Sequence, residues 1–119
     1  MVRTGEGEMN RKTMPTTHRA AVAVLGDRDT VTIANNTKAH AYGDDVTISL
    51  HGHLIVILHA DDTVSVRHAG WPTVTTFDRI KRFLPAGWGA TRQGGTPRVF
   101  NTRVGVDTPI YGTEWVRLT

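Results

Sequence analysis

From Thr30 onward, apolar and polar positions alternate along the chain with the period of a β-strand. Val31 and Ile33 stand against Thr30 and Thr32, and Val46, Ile48 and Leu50 stand against Thr47, Ser49 and His51. Period-two patterning places every second side chain on one buried face, so each stretch predicts a half-buried strand. Residues 20–25, 37–42 and 63–68 read as strands of the same kind, the last with Val64 and Val66 on one face. Residues 54–58 are an unbroken aliphatic run, which predicts a central strand covered on both sides. Turn signals separate these runs: Gly26-Asp27, Asn35-Asn36, Gly43-Asp44-Asp45, Gly52 and Ala60-Asp61-Asp62. Asn35-Asn36 suits a tight hairpin because asparagine tolerates positive φ. The pattern predicts an antiparallel meander of about five or more short strands.

The period then changes. Phe77, Ile80 and Leu84 fall at i, i+3 and i+7, which predicts one short helix over residues 76–84. Thr75 is the expected N-cap, with Asp78 three residues later in a capping-box position, and Pro85 and Gly87 end the helix. So short a helix must lean on the sheet to persist. Residues 88–92, 98–104 and 114–118 read as further strands, with Gly94-Gly95 as a turn. The fold class expected is α+β and mainly β, with the helix packed on the sheet. Residues 1–18 are polar and aperiodic and read as a flexible N-terminal arm, leaving residues 19–119 as a single β-rich domain. The expected core is Val31, Ile33, Val46, Ile48, Leu50, Ile55, Ile57, Val64, Val66, Phe77, Ile80 and Leu84.

Composition narrows the chemistry. The 119 residues suit one domain, and the absence of cysteine removes disulfides, thiolate nucleophiles and Cys-based metal sites. The longest apolar runs are too short to span a bilayer, and residues 1–19 hold no apolar core of signal-peptide length, so a cytoplasmic protein is expected. The net charge of +3 is unevenly spread. Residues 20–68 sum to −3, whereas residues 69–119 carry Arg79, Lys81, Arg82, Arg92, Arg98, Arg103 and Arg117 and sum to +4. Such asymmetry points to an anionic partner for the C-terminal half, against the simpler reading of a solvated mixed surface.

The segments Asn35-Asn36-Thr37, Leu50-His51-x-x-x-Ile55 and Gly70-Trp71-Pro72-Thr73-Val74-Thr75-Thr76-Phe77-Asp78-Arg79 form a recognisable series. In them the chain resembles small actinobacteriophage-type proteins with a pattern like NNT…LHxxxI…GWxTxTTxxRxxxxLP, over roughly residues 35–88. Ala69 stands where a second glycine is common, and Asp61-Asp62 where Asp-Gly is. The resemblance implies a phage or prophage origin and a host cytoplasmic setting, and it implies no activity.

Candidate chemistry concentrates between residues 70 and 82. The hydroxyls of Thr73, Thr75 and Thr76, a helix start, and Arg79, Lys81 and Arg82 together suit phosphate oxygens, with Arg92 and Arg98 adding charge. Trp71 and Trp88 flank the helix and suit stacking on bases. The competing reading makes the threonines caps and the tryptophans core clamps. His51, His53 and His59 are weak metal candidates, because no zinc-binding spacing accompanies them. The paired aspartates sit in turns, no phosphate loop or nucleophile elbow is present, and neither cofactor nor catalysis is expected. Two function classes follow: a nucleic-acid binder, or a protein that engages a host protein or a second copy of itself through a sheet edge or apolar patch.

Overall fold

The computed structural model describes residues 14–119. The first element is a helix, α1 (His18–Leu25), where the alternating Ala-Val-Ala-Val run predicts a strand. Three local signals outweigh the alternation. Thr17 is the N-cap, its hydroxyl accepting from the Ala20 amide at 3.1 Å. The interior is rich in alanine, the best helix former. Gly26, at φ 61°, closes the end with its amide on the Val22 carbonyl. Arg28 also donates to the Val24 and Leu25 carbonyls. Ala21 and Leu25, one helical turn apart, are buried, whereas Val22 and Val24 are exposed. Of the arm expected over residues 1–18, residues 1–13 lie outside the described residues; Met14 is buried in the common core.

The meander follows in the predicted order: β1 (Thr30–Ala34), β2 (Thr37–Tyr42), β3 (Asp45–Leu50), β4 (His53–Leu58) and β5 (Val64–Val66). A late strand, β9 (Val116–Leu118), pairs with β5 and completes a six-stranded antiparallel sheet ordered β1-β2-β3-β4-β5-β9. One row crosses all six strands as Val31, Ala39, Ile48, Val56, Val66 and Val116. The adjacent row, on the opposite face, runs Thr30, His40, Thr47, Ile57, Ser65 and Arg117. The apolar row faces the core, where full burial of a Val or Ile, as at Ile48, Val56 and Val66, stabilises the fold by roughly 1.5–3 kcal/mol each.

Full coverage falls on β3, not on β4 as the aliphatic run suggests. Every residue from Val46 to Leu50 is buried, including Thr47 and Ser49, whereas Ile57 in β4 is half-buried. The run in β4 has a different cause. Its register against β3 skips Ile55, and the resulting bulge allows the adjacent Ile55 and Val56 both to be buried. His51 and Gly52, at φ 52° and 83°, form the two-residue hairpin between Leu50 and His53.

The second helix, α2 (Val74–Arg82), starts earlier than predicted. Thr73 is its N-cap in place of Thr75, because its hydroxyl takes the Thr76 amide at 3.2 Å. The helix ends at Arg82, so Leu84 falls outside the helical period and Phe83 turns inward instead. The buried side chains are Thr76, Ile80 and Phe83, while Phe77 and Leu84 are half-buried. Beyond α2, β6 (Gly89–Gln93), β7 (Thr96–Asn101) and β8 (Val106–Pro109) form a separate three-stranded antiparallel sheet. Its Val99 joins the common core. The Phe100 ring covers Gly89 so closely that a Cβ there would lie 2.6 Å from it.

Candidate functional site

The β3–β4 hairpin, the loop after β5 and the start of α2 enclose a cavity of about 340 Å³. Leu50 and Ile55, both buried, supply its apolar floor, and His51 and His53 come from the same hairpin. His68 and Trp71 line it from the loop, and Thr73, Thr75 and Thr76 from the helix start. The loop turns sharply, with Ala69 and Gly70 both left-handed at φ 56° and 85°. The Gly70 amide donates to His68 Nδ1 at 3.1 Å, and the Trp71 amide to the His68 carbonyl at 2.9 Å. Those bonds carry Trp71 outward, where its ring meets His53 at a centroid distance of 5.5 Å and a tilt of 41°.

The sequence-predicted residues separate into two groups. Trp71, Thr73, Thr75, Thr76, His51 and His53 meet at the cavity. The predicted arginines do not converge there. Arg79 donates to the Thr37 hydroxyl at 2.9 Å and to the Asn35 carbonyl at 3.4 Å. Arg98 pairs with Asp107 at 2.8 Å on the second sheet. Arg92 reaches the Pro72 carbonyl at 3.4 Å, while its Nε is buried with no hydrogen-bond partner among the described residues. Lys81 lies 5.5 Å from the Phe77 ring centre. Lys81 and Arg82 are exposed beside Asp78, at the C-terminal end of α2 rather than at its threonine-rich start.

Trp88 takes the clamp role weighed against stacking. It is half-buried against the core, and its Nε1 donates to the Thr119 carbonyl at 3.1 Å. The metal candidates do not assemble. Among the described residues, no three His, Cys, Asp or Glu side chains are grouped to hold a metal ion. His59 stands away from the cavity, with Nε2 2.7 Å from Ser65 Oγ and Nδ1 3.5 Å from Asp45. That Ser65-His59-Asp45 chain has the connectivity of a hydrolytic relay. Ser65, however, is buried mid-strand and paired to β4 on one side and β9 on the other, so the chain braces the sheet.

Sequence reasoning gave no contacts for three groups that shape this region. His68 stands beside a turn in the sequence, and its bond from the Gly70 amide is set by the left-handed loop. Arg67 lies 4.3 Å from the Trp115 ring centre and donates to the Leu54 and Thr113 carbonyls, tying β4 to the C-terminal segment. Ser49 and Thr30 hold the His40 ring between them at 2.8 and 3.1 Å. Burial, and after it Lys38, lowers the His40 pKa from its ordinary value. The Asp61 carboxylate is also lowered, first by the Thr63 hydroxyl, then by the Thr63 amide, with Arg117 and His59 contributing.

These features define a small antiparallel β protein with a histidine- and tryptophan-lined cavity at the end of its larger sheet. The family described as Kyanoviridae Gp96 protein matches residues 14–116, and the chain belongs to that family. The match makes it a phage protein and does not bear on the narrower actinobacteriophage likeness. No curated protein and no solved structure matches the chain. Among the described residues, no helix is long and apolar enough to cross a membrane.

Proposed function

We propose that this phage protein is a non-enzymatic accessory factor that binds single-stranded nucleic acid in the host cytoplasm. The contact surface is the mouth of the cavity at Trp71, extended by Lys81 and Arg82 on α2. The observation that carries this reading is Trp71 itself. Its indole is 54% exposed, rests on His53, and stands at a cavity with no carboxylate among the described residues of its lining. An indole left in water forfeits burial that a base would restore, and stacking on an aromatic ring is worth roughly 1–3 kcal/mol per base. The helix that begins at the cavity wall carries Lys81 and Arg82 at its far end, about 10 Å away at 1.5 Å per residue. That distance suits backbone phosphates one or two nucleotides along the strand.

Fluorescence anisotropy with labelled single- and double-stranded DNA and RNA, at low and near-physiological salt, tests the reading. The expected result is roughly micromolar affinity for single strands that weakens with salt, with a logarithmic slope near −1.4 for two phosphate contacts. Absence of binding even at low salt would sink the proposal.

A protein partner is the second reading, and Val74 favours it. Val74 is 61% exposed and lies three residues after the exposed Trp71, and two large apolar side chains left in water so near in sequence offer a host protein surface to cover. That reading requires affinity indifferent to salt and unaffected by removing Lys81 and Arg82.

A further inference from the structure

We infer that the cavity receives one nucleotide of the bound strand, with its base between Trp71 and the Leu50/Ile55 floor and its phosphate on the imidazoles at the rim. This rests on the nucleic-acid reading and deepens it. A volume of about 340 Å³ lies at the small end of ligand pockets, which run from about 300 to 1,000 Å³, and suits a single nucleotide rather than a multi-ring ligand. The floor is aliphatic and buried, and the mouth carries two rings, Trp71 and His53, 5.5 Å apart and tilted. A flat π-system can lie against such a mouth in ways an aliphatic ligand does not exploit.

Among the described residues, the polar lining is His51, His53, His68 and threonine hydroxyls, with neither aspartate nor glutamate. An anion entering the cavity therefore meets no carboxylate among the described residues of its lining. The role of one imidazole is set by its own loop. His68 Nδ1 accepts the Gly70 amide, so the ring proton of the neutral form resides on Nε2, making His68 a hydrogen-bond donor. A donor-bearing rim over an apolar floor matches a nucleoside monophosphate, whose base is flat and whose phosphate is an acceptor.

The test is a titration of isotope-labelled protein with thymidine monophosphate, followed by NMR at the ring signals of His51, His53, His68 and Trp71. Inorganic phosphate and thymidine are titrated separately. The expected result is saturable shifts at those rings, with Trp88 unmoved, and affinity about tenfold tighter than for either half of the ligand. Trp71→Ala should abolish the shifts, and so should Thr75→Tyr, which places a ring into the cavity from an exposed helix position without touching the core. Oligonucleotide anisotropy on the same samples separates this inference from the broader reading. Oligonucleotide binding that moves the Trp71 ring but leaves His51, His53 and His68 silent, or binding that survives Thr75→Tyr, overturns the inference alone. Monophosphate affinity no better than that of inorganic phosphate also overturns it. If neither ligand binds, both readings fall.

Discussion

Arg79 on α2 donates from Nε to Oγ1 of Thr37 at 2.9 Å, joining positions 42 residues apart. Thr37 is fully buried, and its hydroxyl in turn donates to the Asn35 carbonyl at 2.8 Å. The guanidinium is thus the outer member of a chain that ties the helix to the β1–β2 turn. A side chain chosen from sequence as a phosphate ligand is a strap of the fold.

Replacing Arg79 with Ala should therefore lower stability by about 1–2 kcal/mol, the range for a partly exposed charged hydrogen bond to a buried partner. Arg79→Lys should recover little of it, because one ammonium cannot reproduce the forked contact to Thr37 and Asn35. Urea unfolding measures the loss. If Arg79→Ala leaves the midpoint unchanged and instead reduces nucleic-acid affinity, Arg79 belongs to the binding surface after all.

The two tryptophans divide the same way. Trp88→Ala removes a half-buried ring and its hydrogen bond to the Thr119 carbonyl, and should lower stability by about 2–4 kcal/mol. Trp71→Ala should change stability by under about 1 kcal/mol, since its ring is largely in solvent, yet cost about tenfold in affinity for single strands. Thermal melts of both variants, with anisotropy on each, read out the division. Equal destabilisation by both would place Trp71 in the core.

What the sequence disclosed followed from local physics. The meander was legible because Val46, Ile48 and Leu50 alternate, and Asn35-Asn36 and Asp61-Asp62 turn the chain where Asn36 and Asp62 take positive φ. The errors arose where two local rules disagreed. Residues 20–25 alternate like a strand, but the Thr17 cap, the alanines and Gly26 favour a helix, and tertiary burial of Ala21 and Leu25 decides. The partner of β5 was not legible, because β9 arrives from some 50 residues away and carries no signal of where it will pair. At the site, residues near in sequence were found and residues joined through space were not. Trp71, Thr73, Thr75 and Thr76 sit on one short stretch, whereas the partners of Arg79 and Arg98 are set by packing.

Ala69 offers a test of the loop that presents Trp71. It holds φ 56° beside Gly70 at φ 85°, a conformation that costs an L-residue roughly 1–2 kcal/mol. Glycine relieves that strain while adding freedom to the unfolded chain, so Ala69→Gly should raise stability by about 0.5–1 kcal/mol. A rise of a few degrees in melting temperature is the expected observation. A fall would mean that packing of the Ala69 methyl against the core outweighs the strain.

His40 should make the sheet sensitive to mild acid. Its Nδ1 lies 3.1 Å from Thr30 Oγ1 and its Nε2 2.8 Å from Ser49 Oγ, an arrangement in which the neutral ring donates at one nitrogen and accepts at the other. Burial, then Lys38, lowers its pKa below the ordinary 6.5. The unfolded chain consequently binds a proton at this position before the folded chain does, and stability rises with pH wherever that difference exists. Stability should be complete above the ordinary histidine value and decline as pH falls below it. The lowered Asp61 acts in a separate window, supporting the fold above its ordinary 3.8 and losing that support only as pH falls further. Urea midpoints measured at about pH 7.5 and about pH 5 should therefore differ, and His40→Gln should flatten the difference while the other histidines remain. An unchanged slope in His40→Gln would assign the acid response to another imidazole and leave the Thr30-His40-Ser49 bridge with no part in it.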